Sequence, residues 1–156
     1  MAAGEFIIPE KAWFNCLSAT NLLAANTSNF RLALVASTWT PDDANDELWS
    51  HMSAHEIPAG NGYSTGGGAL TGVSLSLVSG RVVFTSNAYV WTASGGYIPG
   101  WRRAVAYYLG TLNSKVNPIV CHCLGIETPS PADVITPDGK TLTVTPHASG
   151  ILRSPA

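Results

Sequence analysis

Phe30-Arg31-Leu32-Ala33-Leu34-Val35-Ala36 leads into Ser37-Thr38-Trp39-Thr40-Pro41-Asp42-Asp43. The chain then passes Glu47-Leu48-Trp49-Ser50 and Ala54-His55-Glu56-Ile57. It reaches Gly60-Asn61-Gly62-Tyr63-Ser64-Thr65-Gly66-Gly67-Gly68 before the run Val73 to Leu77. Phe30, Leu32, Leu34 and Ala36 alternate with Arg31, Ala33 and Val35, the period of a half-buried strand. Pro41, Asp42 and Asp43 then favour a turn, because proline supplies no donor and aspartate bonds its own backbone. A strand, an acidic turn, an aromatic anchor and a glycine-rich loop thus follow in order, and no catalytic motif accompanies them. This reads as a β-rich building block.

Outward from that stretch the period of two continues. Val73, Leu75 and Leu77 form one run and Val82-Val83-Phe84 another, with Ser79-Gly80 between them as a hairpin turn. Ala88 to Trp91 is a further short run. Trp101, Arg103, Val105, Tyr107 and Leu109 alternate with Arg102, Ala104, Ala106 and Tyr108. Ile119 to Leu124 follows Asn117-Pro118, close enough for antiparallel pairing with that run. Asp138-Gly139 turns into Lys140 to Thr145, and residues 149–156 read as a short tail. Before Phe30, Pro9 and Glu10 suit a first helical turn, and Trp13, Phe14 and Leu17 share one helical face. The expected fold is one domain, mainly β: an antiparallel β-sandwich or jelly roll over residues 30–156, with an N-terminal arm and short helix over 1–29.

Charged residues make up 12% of the 156-residue chain and hydrophobic ones 46%, where about a quarter charged is usual. Such a surface suits a homo-oligomer, a dimer or trimer, or one covered by a partner. A monomer with a Ser/Thr/Asn surface is the alternative. The net charge of −2, with no basic cluster beyond Arg102-Arg103, argues against nucleic-acid binding, which draws on grouped Lys and Arg. No apolar run approaches the roughly 20 residues of a membrane span. The first ten residues lack the basic region of a signal peptide, so cytoplasmic synthesis is expected.

Three cysteines make a poor disulfide framework, and Cys121-His122-Cys123 lacks zinc-ligand spacing. Both thiols are expected on one face of a strand, buried and reduced. His51-Met52-Ser53-Ala54-His55-Glu56 misplaces the glutamate that a zincin needs after its first histidine. Asp42, Asp43, Asp46 and Glu47 read as a solvated acidic turn without calcium-loop spacing. The glycine block has no lysine for phosphate and precedes a strand; Gly62, Gly66, Gly67 and Gly68 are expected to be structural, through positive φ or close chain approach. No metal, cofactor or catalytic residue is expected. Phe6, Ile7, Ile8, Trp13, Phe14, Trp39 and Trp49 are the candidate interface residues, with Trp39 and Trp49 also suited to pinning irregular segments onto the sheet.

The stretch from Leu32 to Asp42, the Trp49-Ser50 element, Gly62-Tyr63-Ser64-Thr65-Gly66-Gly67, Val90-Trp91-Thr92, Ala104 to Tyr108, Pro118-Ile119-Val120 and Thr143 to Ile151 together resemble a family of small virion proteins of tailed bacteriophages. The sequence departs from that pattern at His51 and His55. The resemblance implies a non-enzymatic virion component made in the host cytoplasm and assigns no catalytic residue. A capsid decoration (cement) protein, with the major capsid protein or other virion proteins as partners, is the expectation. A tail or head–tail accessory protein and a glycan-binding β-sandwich module are the alternatives.

Overall fold

The computed structural model describes residues 29–78, 81–112, 114–126, 130–147 and 152–153. Among them the chain is mainly β and every strand pair is antiparallel. The strands are β1 (Phe30–Val35), β2 (Gly68–Ala69), β3 (Ser74–Val78), β4 (Arg81–Thr85), β5 (Tyr89–Thr92), β6 (Ile98–Trp101) and β7 (Arg103–Tyr108). They continue as β8 (Thr111–Leu112), β9 (Lys115–Val116), β10 (Ile119–Leu124), β11 (Val134–Thr136), β12 (Thr141–Val144) and β13 (Leu152–Arg153). The main sheet has the order β10-β7-β1-β2; the smaller sheets are β11-β6, β12-β5, β13-β4-β3 and β8-β9.

The main sheet is built on a long-range pairing, with Phe30 opposite Tyr108 and Val35 opposite Arg103. Its register decides which side chains share a face. Leu32 and Leu34 lie with Ala104, Ala106, Cys121 and Cys123 on the inner face, in one apolar cluster with Trp91, Ile98, Val134 and Leu142 from the smaller sheets. Ala33, Val35, Val105, Tyr107 and Ile119 take the outer face with Trp39, Trp49 and Met52. Ile119 stands opposite Tyr107 while Cys121 stands opposite Ala106. Val120 is therefore an extra residue, and this bulge moves Ile119 and Cys121 to opposite faces.

The outer face is covered by residues 39–57, a strap that contains two 3-10 turns, Trp49–His51 and Ser53–His55. It is stitched to both sides of the sheet. Ala36 N donates to His55 O (2.9 Å) and Ile57 N to Leu34 O (3.1 Å); Trp49 N donates to Asn117 O (2.8 Å) and Ile119 N to Glu47 O (3.0 Å). The Trp49 ring stacks on Tyr107 at 4.8 Å with planes 7° apart. This cover corrects the half-buried reading of Phe30 to Ala36: Ala33 and Val35 are as buried as Leu32 and Leu34.

Two further expectations are corrected. Trp101 does not continue the face of Val105 and Tyr107: it ends β6, Arg102 interrupts, and its ring joins the inner cluster. Within the segment read as a short tail, Leu152 and Arg153 form a strand pair with Phe84 and Val83 of β4. The hairpin of β3 and β4 is present as read, with Ser74 opposite Thr85 and Val78 opposite Arg81. The arm and helix expected before Phe30, with Phe6, Ile7, Ile8, Trp13 and Phe14, fall in residues 1–28, outside the described residues.

Candidate functional site

The glycine block is tied down by hydrogen bonds from several directions. Asn61 and Gly62 sit at positive φ of 52° and 94° inside a two-residue turn, where Gly60 N and Tyr63 O, and Tyr63 N and Gly60 O, exchange 2.9 Å bonds. Tyr63 is then delivered inward. Its hydroxyl accepts from Leu34 N (3.0 Å) and donates to Glu56 Oε1 (2.7 Å). The same carboxylate oxygen accepts from Gly66 N at 2.6 Å. Tyr107 OH donates to Gly66 O (2.8 Å) and Arg31 donates to Gly67 O (3.1 Å). Burial raises the pKa of both phenols, that of Tyr63 far above its ordinary value, with Glu56 adding to the effect. Each polar group here holds backbone, which makes the loop a fixture.

Gly66 and Gly67 have φ of 78° and 68°, the left-handed region that glycine enters without strain. A Cβ on Gly67 would overlap Leu32 O and Ala33 Cα, and one on Gly68 would overlap the Tyr89 ring. Gly68 itself lies in β2. Sequence reasoning found these glycines but not the Glu56 clasp that explains them; the Glu56–Tyr63 spacing of seven carries no motif.

The acidic turn forms a second polar centre. Asp46 Oδ2 accepts from Trp39 Nε1 (3.2 Å) and from Asp42 N (2.9 Å). Asp43 Oδ1 lies 3.1 Å from His122 Nε2, and Arg103 lies 3.5 Å from His122 Nδ1. A guanidinium only donates, so Nδ1 accepts and Nε2 carries the proton toward Asp43. Trp39 meets the imidazole edge-on at 5.2 Å, with Arg103 6.0 Å over the indole. His122 is 1% exposed, and burial holds its pKa below the ordinary value while the Asp43 bond opposes that shift. Glu47 reaches Lys115 at 2.9 Å, and His51 Nδ1 accepts from Glu47 N at 3.4 Å. The reading as a merely solvated acidic turn is corrected: Asp43 ties the strap to β10, Glu47 ties it to β9, and Asp46 closes the strap on its own Trp39 ring.

This centre has a histidine–carboxylate pair, the beginning of acid–base chemistry. The flanking thiols of Cys121 and Cys123 point to the opposite, inner face. Burial pushes the Cys123 thiol up to about 12, which keeps it a protonated core group. Among the described residues, no three His, Cys, Asp or Glu side chains are grouped to hold a metal ion. His55 is apart from this centre, with Nδ1 3.0 Å from Thr38 Oγ1.

Of the interface candidates, Trp39 and Trp49 are 5% and 8% exposed; they anchor the strap from within and present little surface to a partner. The exposed apolar side chains are others: Val90, Tyr97, Leu109, Val116 and Ile135. Ile135 lies outward between buried neighbours in β11, and Val90 lies outward between partly buried Tyr89 and buried Trp91 in β5, positions that the period of two could have flagged. No protein-family model, curated protein or solved structure matches the chain.

Proposed function

We propose that this protein is a non-enzymatic structural component of a tailed-phage virion, a capsid decoration protein that binds the assembled capsid lattice as a homo-oligomer. The observation that carries the reading is the glycine block. This segment bears the most specific part of the resemblance, and its polar side chains are spent on fixing backbone: Glu56, Tyr63, Tyr107 and Arg31 all hold it in place. A rigid loop on a doubly covered sheet suits a part that must present an unchanging surface to a lattice. The exposed apolar side chains Val90 in β5, Tyr97 before β6 and Ile135 in β11 suit many shallow contacts, each modest and summed by avidity.

The finer architecture in this proposal is a jelly-roll-like sandwich. It is supported by the inner cluster, in which Leu32, Leu34 and Ala104 of the main sheet meet Trp91, Ile98 and Leu142 of the smaller sheets. Electron microscopy of purified particles with the chain located tests the function. Density on the capsid lattice is the expected result. Density at the tail alone would replace this reading with the tail-accessory one, and particles without the chain would overturn both. The glycan-binding reading rests on Tyr97, exposed beside Asn61, whose side-chain amide donates to Tyr97 O at 2.9 Å. Binding to immobilised glycans that Tyr97→Ala removes would favour it.

A further inference from the structure

The two edges of the β5–β12 ribbon are treated differently. The turn Gly60–Tyr63 lies along β5: Ser94 N donates to Asn61 O (3.2 Å), and a Cβ on Gly62 would overlap Thr92 O. No described strand lies along β12 on its other side. Ala93 N donates to Lys140 O, and Gly139 N to Ala93 O, both at 2.9 Å. The antiparallel ladder alternates from there. With Trp91 opposite Leu142 and Tyr89 opposite Val144, Leu142 and Val144 turn their backbone groups toward β5. Thr141 and Thr143 turn theirs to the open edge.

That edge has a self-complementary pattern. Thr141-Leu142-Thr143-Val144-Thr145 reads the same in residue type from either end. Its threonines are exposed and its Leu and Val are buried. The outward face also carries Thr92 and Val90, opposite Thr141 and Thr143, and has no charge to repel a like copy. Thr141 to Thr145 contain no lysine, proline or bulge, the devices that blunt an edge; Lys140 and Pro146 stand at the two ends and confine the pairing to these five residues.

We propose that β12 pairs with β12 of a second copy about a two-fold axis through Thr143, which joins two β5–β12 ribbons into one four-stranded sheet. Thr143 then meets Thr143 of the partner subunit, and Thr141 meets the partner's Thr145. The buried Leu142 and Val144 fall opposite the partner's Val144 and Leu142, so the inner face stays apolar. Any other register would break at least one of these matches, since a slip by one residue sends threonine inward. A two-fold, isologous contact of this kind is the commonest closed assembly. The proposal deepens the self-association stated above and rests on that part of it alone.

Cysteine scanning with sedimentation tests it. Thr143 exposes its backbone groups to the partner, so the pair would be hydrogen-bonded, with Cα atoms about 5.5 Å apart, inside disulfide reach. Thr143→Cys should give a disulfide dimer under mild oxidation, with the parent protein treated alike as the blank. Thr141→Cys should not, because those two positions lie roughly 13 Å apart in this register. Thr143→Lys sets like charges opposite each other and should weaken the dimer roughly fivefold. Mixing it with Thr143→Glu should restore a heterodimer. Each variant's thermal midpoint checks that the fold is kept. A parent that sediments at the 16.4 kDa chain mass at micromolar concentration would overturn the proposal together with self-association. A trimer, or a dimer that neither cross-links through Thr143→Cys nor responds to Thr143→Lys, would overturn the edge alone.

Discussion

A positive φ and a crowded Cβ are separable at the level of single residues. Gly67 and Gly139 have φ of 68° and 72°, but a Cβ on Gly67 would overlap β1 backbone while one on Gly139 meets nothing within 4 Å. Gly139→Ala should therefore cost about 1–2 kcal/mol, the left-handed strain alone. Gly67→Ala should cost about 3 kcal/mol or more, because the β1–β2 pairing must also shift. Denaturant unfolding compares the two, and equal losses would show that crowding at Gly67 is relieved freely. His122 gives a pH dependence with a defined sign. Its pKa is depressed in the folded state and lies near 6.5 in an unfolded chain. The neutral ring's contribution is complete above about pH 6.5 and is lost as pH falls through the folded value. Stability of the parent should decline on this account below pH 6.5. His122→Gln should begin less stable and show a flatter slope; an unchanged slope would place the proton uptake elsewhere.

At the scale of elements, the strap over residues 39–57 makes the strongest claim. Trp49 covers Tyr107 in parallel stacking, and Trp49→Ala should cost about 3–5 kcal/mol from the lost ring and the cavity it leaves. It should also speed hydrogen exchange at the amides of Met52 and Ile57 before any effect on β7. Uniform acceleration across the sheet would mean that the strap and sheet open as one unit. The strap also marks where the sequence was legible. β1, β3, β4, β5, β7, β10 and β12 stood out from alternation and turn residues. β2, β8 and β9 have two residues each, too few to show a period, and β13 pairs across the chain rather than with its neighbours. Trp39 and Trp49 were readable as pins. Glu56 was not, because one carboxylate that serves Tyr63 and Gly66 depends on how β1 and the loop fold together. The bulge at Val120 was equally silent, since Ile-Val-Cys-His-Cys alternates no differently with it or without it.

For the molecule as a whole, the expectation is a fold held by burial and backbone pairing. Cys121 and Cys123 are both buried. A reductant or a chelator should leave the thermal midpoint unchanged, and a drop of several degrees with either would expose a missing crosslink or ion. Replacement of both cysteines with Ala should cost a few kcal/mol through the emptied inner face, about 1–2 per site. The pairing of β1 with β7 carries a further consequence, in the order of events during synthesis. Val35 finds its partner Arg103 only after about 70 more residues have been made. At roughly 5–20 residues per second, that is about 4–14 s. Throughout that interval Leu32, Leu34 and Val35 form an apolar strand without its central neighbour. Nascent chains stalled before Arg103 should thus be held by chaperones and cut readily by protease, and both susceptibilities should fall together once Leu124 has cleared the ribosome exit.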